Sequence, residues 1–136
     1  MTKVREACIE DIDFLMEKAY AFNDRYYGIP LNRIGLFKYL EAMIEHESGV
    51  CLVTDSGGIV GVIHQDPRWD WTVLVETAWY SEGRDGVRLL DAFEKRAMEI
   101  GCDEVRMTTL AVNSGVDRLL ERRGYKPIET SHRLIL

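Results

Sequence analysis

The chain has 136 residues, 46% of them apolar and 29% charged, and a formal net charge of −6. That is enough to bury one sizeable core and no more, so a single domain spanning 1–136 is expected. The acidic balance excludes a broad nucleic-acid-tracking surface, and no apolar run approaches the roughly 20 residues of a membrane helix.

Lys3 to Ala7 alternates as a short strand, and Ile12, Leu15, Met16, Ala19 and Phe22 then recur at helical spacing. The Gly28-Ile29-Pro30 break ends that helix, and Asn32 is placed to cap a second one carrying Phe37, Leu40, Met43 and Ile44. Val50 to Thr54 and Ile59 to His64, joined through Asp55-Ser56-Gly57-Gly58, read as a hairpin. Trp71 to Tyr80 is a further strand, apolar on both faces at Thr72-Val73-Leu74-Val75 and therefore central. After the loop from Gly83 to Gly86, Leu89, Leu90, Phe93, Ala97 and Ile100 mark a long helix that stops at Gly101. A strand over Asp103 to Thr109, a short helix over Ser114 to Arg123 and a closing strand over Arg133 to Leu136 complete the order β-α-α-β-β-β-α-β-α-β. The expected class is α/β (α+β), a central mixed sheet flanked by helices.

The opening residues carry no apolar stretch of the kind a secretory leader needs. Cys8, Cys51 and Cys102 are odd in number and form no CxxC, which suits reduced thiols in a cytoplasmic protein. His46, His64 and His132 are isolated, and His46-Glu47 lacks the second histidine of HExxH, so no metal site is expected.

Chemistry concentrates where the central strand enters a helix, at Trp79-Tyr80-Ser81-Glu82-Gly83-Arg84-Asp85-Gly86-Val87. Unpaired N–H groups at a helix start and the positive end of its dipole attract an anion such as phosphate, and Arg84 adds charge. An ordinary strand-to-helix turn would look the same. There is no GxxxxGK[ST] and no GxGxxG, which removes the P-loop and dinucleotide readings.

The element order, this loop, and Asn113 followed by Leu119, Leu120, Gly124 and Tyr125 together resemble the GNAT N-acetyltransferase superfamily over nearly the whole chain. The resemblance implies an acetyl-coenzyme A donor with its pyrophosphate at the loop. Of the family's [QR]-x-x-G-x-[GA] pattern, the Leu89-Leu90 register places Ser81 first, Arg84 at the middle glycine and Gly86 last, so that only Gly86 fits. Alternatively the loop is shortened, with Glu76, Trp79 and Tyr80 at the end of the family's fourth strand. The stretch Asn113 to Tyr125 falls in register with N-x-x-A-x-x-L-Y-x-x-x-G-[FY], but Leu120 stands where the family has its general-acid tyrosine.

On this resemblance the cofactor-binding residues are Trp79, Tyr80, Ser81, Gly83, Arg84, Asp85, Gly86, Val87 and Asn113, and the catalytic ones Glu76 and Tyr80. Glu76 is a carboxylate in an apolar strand, able to accept an amine's proton or equally to pair with a basic side chain. Tyr80 replaces the missing acid or packs on the pantetheine arm with Trp79. Tyr20, Tyr26 and Tyr27 fall where the acceptor pocket is implied, and aromatic packing explains them equally well. The resemblance implies a small-molecule or protein amine as acceptor, and Glu10, Asp11, Asp13, Glu17, Asp24 and Glu41 on the helical pair only hint at one, since acidic helix faces are usually just solvated. A homodimer is compatible with the sequence, a membrane partner is not expected, and a catalytically degenerate acyl-CoA sensor or a cofactor-free interaction domain are the rival readings.

Overall fold

The computed structural model describes residues 3–111 and 114–136. Five strands, β1 (Arg5–Glu6), β2 (Gly49–Val53), β3 (Gly58–Asp66), β4 (Trp71–Tyr80) and β5 (Glu104–Arg106), stand in that order in one sheet. The first four are mutually antiparallel and β5 runs parallel to β4, making the sheet mixed. Among the described residues four α-helices flank it: α1 (Ile12–Tyr26), α2 (Arg33–Glu45), α3 (Asp85–Ile100) and α4 (Ser114–Arg122).

Alternation along the strands divides the core in two. Cys51, Val53 and Val60 pack with Ile12, Leu15 and Met16 of α1 and Leu40 of α2. Val50, Leu52, Ile59 and Leu74 pack on the opposite face with Leu89, Phe93 and Ala97 of α3. Leu89, Leu90 and Phe93 are wholly buried, each contributing about 1.5–3 kcal/mol by leaving water.

Local signals set several ends. Asn32 caps α2, its Oδ1 accepting from the Gly35 N–H at 3.0 Å, and α3 ends as expected at Gly101. The β2–β3 turn is closed by the Thr54 N–H donating to the Gly57 carbonyl at 3.0 Å.

Three expectations are corrected. On α2 the inward stripe is Leu36, Tyr39, Leu40, Met43 and Ile44, whereas Phe37 is exposed, because the helix turns its i, i+3, i+4, i+7 set toward the sheet. The β5 ladder is only three residues long, since residues 107–111 leave the pairing line. No closing strand forms over 133–136: Leu134, Ile135 and Leu136 are exposed and outside any ladder among the described residues.

Candidate active site

The site begins where the sheet opens. β4 and β5 pair through Val73↔Glu104, Leu74↔Val105 and Val75↔Arg106, and the ladder stops there although β4 continues to Tyr80. On its other side β4 carries a bulge: Val60 faces Ala78 and Gly61 faces Glu76, leaving Thr77 as the extra residue. Gly61 is required opposite Glu76, because a Cβ there would come within 2.5 Å of the Phe93 ring and 2.9 Å of the Val75 carbonyl. Thr77 Oγ1 donates to the Val60 carbonyl at 3.3 Å and is hydrogen-bonded to the Tyr39 hydroxyl of α2, which ties the bulge to the helical face.

Glu76, the first residue past the β4–β5 ladder, is only 7% exposed. Its Oε1 accepts from the Thr108 N–H at 3.1 Å, spanning the opening between the two strands. No Lys or Arg forms an ion pair with it among the described residues, so the paired-carboxylate reading of this position is not met. Burial therefore dominates and pushes its pKa up from 4.5 to about 7, the Thr108 bond opposing only in part.

Glu76 lines a cleft of about 570 Å³. The distal part of β4, with Thr77 to Tyr80, and the segment Thr108 to Leu110 contribute one side, and α1 and α2 contribute Phe22, Leu36 and Tyr39. Tyr80 is half-buried and forms a T-shaped pair with Phe22, ring centroids 5.8 Å apart. Phe22 also contacts Tyr26 and Tyr27. Tyr27 reaches the cleft lining, whereas Tyr20 packs against the α1/α2 core. Burial raises the Tyr39 pKa despite its bond to Thr77.

The loop from Ser81 to Arg84 leads from β4 into α3. Gly83 has φ +60°, a conformation glycine adopts without the Cβ penalty, and a Cβ there would enter open space. Arg84 is the N-cap position, with no side-chain capping bond, so the first N–H groups of a 16-residue helix start at this loop. The helix begins at Asp85, which puts Gly86 and Val87 in its first turn rather than in the loop; Val87 is exposed. Gly86 lies close to Ser81, whose Oγ would be 2.8 Å from a Cβ. Asp85 is buried and turned to the protein: its carboxylate accepts from Ser56 Oγ at 2.7 Å and Arg88 Nη1 at 3.0 Å. The Ser56 hydrogen bond, above all, holds that carboxyl below its ordinary pKa. Asp85 thus fastens the loop to the β2–β3 turn.

Neither a family model nor a curated relative matches the sequence. Solved structures do match. A probable acetyltransferase superposes with TM-score 0.79 at 17% identity, covering 98% of this chain and 97% of its own. A possible acetyltransferase from Clostridium difficile 630 gives 0.80 at 14%, covering 100% and 98%. A transcriptional regulator from Bacillus halodurans C-125 gives 0.82 at 14%, covering 100% of both chains. The chain has a GNAT-like fold.

Leu120, which the sequence resemblance sets at a general-acid tyrosine's position, is buried on α4 and lines a different groove. That groove is larger, about 960 Å³, and runs between α3, β5, α4 and residues 125–129. Its lining includes Asp103, Glu104, Arg106, Asp117 and Arg123, and Glu76 is absent from it. Asn113 lies outside the described residues. Trp79 is shared between the α3-side core and the cleft. Of the acidic residues on the helical pair, Glu10, Asp11, Asp13, Glu17, Asp24 and Glu41, none lines the cleft; Asp11 is paired with Arg5 at 2.8 Å.

Tyr39, Thr77, Thr108 and Lys18 escape sequence reasoning. Tyr39 was legible in principle, because Leu36, Tyr39, Leu40, Met43 and Ile44 match a helical face better than a stripe through Phe37 does. Nothing local announces the bulge at Thr77 or the reach of Thr108 to Glu76.

Proposed function

We propose that this chain transfers an acetyl group from acetyl-CoA to an amine, the amine attacking directly in a ternary complex. The observation that carries this reading is Glu76, a buried carboxylate with no ion-pair partner among the described residues, lining the cleft just past the point where β4 and β5 part. Its pKa of about 7 suits a base that must release and regain a proton near neutrality. Acetyl-CoA, when bound, supplies a thioester whose C–S bond is exchanged for a C–N bond, the sulfur leaving with the electron pair.

The residues present fit that donor. The N–H groups at the start of α3, reached through Gly83, form an anion-favouring end for pyrophosphate, with Arg84 beside it. Asp85 would repel phosphate, but its carboxylate is already held by Ser56 and Arg88. Tyr80 and Trp79 line the cleft as packing surface for an extended thiol arm. Glu76 takes the proton lost by the amine, directly or through water. With Leu120 apolar, no tyrosine on α4 protonates the departing sulfur; a thiol has a pKa of about 8.5, so it leaves as thiolate at modest cost.

Leu120 also favours a second reading, a chain of the same fold that binds acyl-CoA without turnover. Calorimetry with acetyl-CoA, followed by thiol release against a panel of amines, separates the two. Binding with amine-dependent release supports transfer, binding without release supports the sensor, and no binding overturns both.

A further inference from the structure

The cleft around Glu76 is apolar and aromatic to a degree that narrows the acceptor. Leu15, Phe22, Tyr27, Leu31, Leu36 and Leu40 form most of the wall supplied by α1, α2 and their connection. Among the described residues lining the cleft, the only ionisable groups apart from tyrosines are Glu76 and Lys18. Lys18 extends from α1 toward the loop, its Nζ 3.7 Å from Glu82 and 5.4 Å from the centroid of the Phe14 ring.

A single carboxylate satisfies a single ammonium. Each further ammonium of a polyamine would lose its water against leucine and aromatic walls with no anion to receive it, and would meet the like charge of Lys18. An apolar body, by contrast, gains from leaving water against the same walls, and an aromatic ring meets Phe22 and Tyr80 there, themselves a T-shaped pair. We propose that the cleft takes a monoamine borne on an apolar or aromatic body and discriminates against polyamines and other polycations. This assignment rests on reading the site as one for acetyl transfer.

The test uses the intact chain saturated with CoA, with 2-phenylethylamine and spermidine as probes, and reads binding by calorimetry, so that turnover is not needed. CoA binding is measured first; its absence overturns the acetyl-transfer reading and this assignment with it. With CoA bound, 2-phenylethylamine is expected to bind at least about tenfold more tightly than spermidine, with little change as salt is raised, because little of the affinity is long-range charge. Leu31→Glu, which adds a carboxylate to the wall, should narrow or reverse that preference. Spermidine binding as tightly as 2-phenylethylamine, or neither amine binding the CoA complex, overturns the assignment while leaving donor binding intact. The wild-type comparison decides even if Leu31→Glu does not fold.

Discussion

Glu76 is held in a state that costs stability when ionised, and that cost can be measured. Its folded pKa of about 7 lies above the ordinary 4.5, so between these values the folded chain binds more protons than the unfolded one. Stability therefore falls as pH rises through that window and levels off above about 7. Glu76→Gln removes the slope: relative to wild type, the variant should gain on the order of 3 kcal/mol between about pH 4.5 and 8. Melting curves across that range check it, and parallel pH–stability curves would contradict the raised pKa. If Glu76 is also the base, the same variant should keep acetyl-CoA affinity, lose about 10²-fold in kcat/KM, and lose the acidic limb centred near pH 7. Leu120 carries a simpler expectation. Buried on α4, it should cost about 2–4 kcal/mol when cut to alanine, read by denaturant unfolding, with kcat little changed for the protein that remains folded.

At the scale of elements, the start of α3 and the bulge in β4 divide the labour of the site. The loop is tied down from behind: Ser56 Oγ donates to Asp85 and accepts from the Glu82 N–H at 3.4 Å, leaving the Gly83 side open. Gly86→Trp should reduce acetyl-CoA affinity by at least about tenfold, since a large side chain beside Ser81 and Trp79 would occupy the approach to the helix start. Calorimetry on the folded variant checks it, and unchanged affinity would move the pyrophosphate elsewhere. The bulge depends on α2 through the Tyr39–Thr77 bond, and α2 depends on its cap. Asn32→Ala should destabilise by about 1 kcal/mol, measurable as a lowered Tm.

Across the whole molecule, the segment just past α4 is tied to α3 by charge. The Arg123 guanidinium bonds Asp91 and Glu94, and the Tyr125 hydroxyl donates to Glu94 Oε2 at 2.7 Å. These carboxylates hold the Arg123 pKa above its ordinary value, while burial, first, and the nearby Glu94 raise that of Tyr125. Arg123→Ala should lower stability by about 1–2 kcal/mol, a modest figure because Asp91 is more than half exposed and solvent screens its share. Thermal melts at low and high salt check it, the difference from wild type shrinking as salt rises.

The sequence by itself determined the order of elements as far as the last helix, the start of α2, the end of α3, and the placement of Trp71 to Tyr80 as an interior strand of the sheet. These follow from local causes: helical spacing, the Asn32 cap, Gly101 at a helix end, and a run apolar on both faces. It also singled out Glu76, because a carboxylate in such a run needs either a partner or a task. Tertiary structure alone showed that no cation pairs with it among the described residues and that the Thr108 N–H, 32 positions away, reaches it. It alone turned the acidic residues of α1 and α2 away from the cleft and put leucines and aromatic rings in their place. It also left residues 133–136 outside the sheet, where a short apolar run offered no local signal of whether a neighbouring strand would pair with it. Spacing reports what a segment can form with itself; pairing, burial and pKa belong to what it meets.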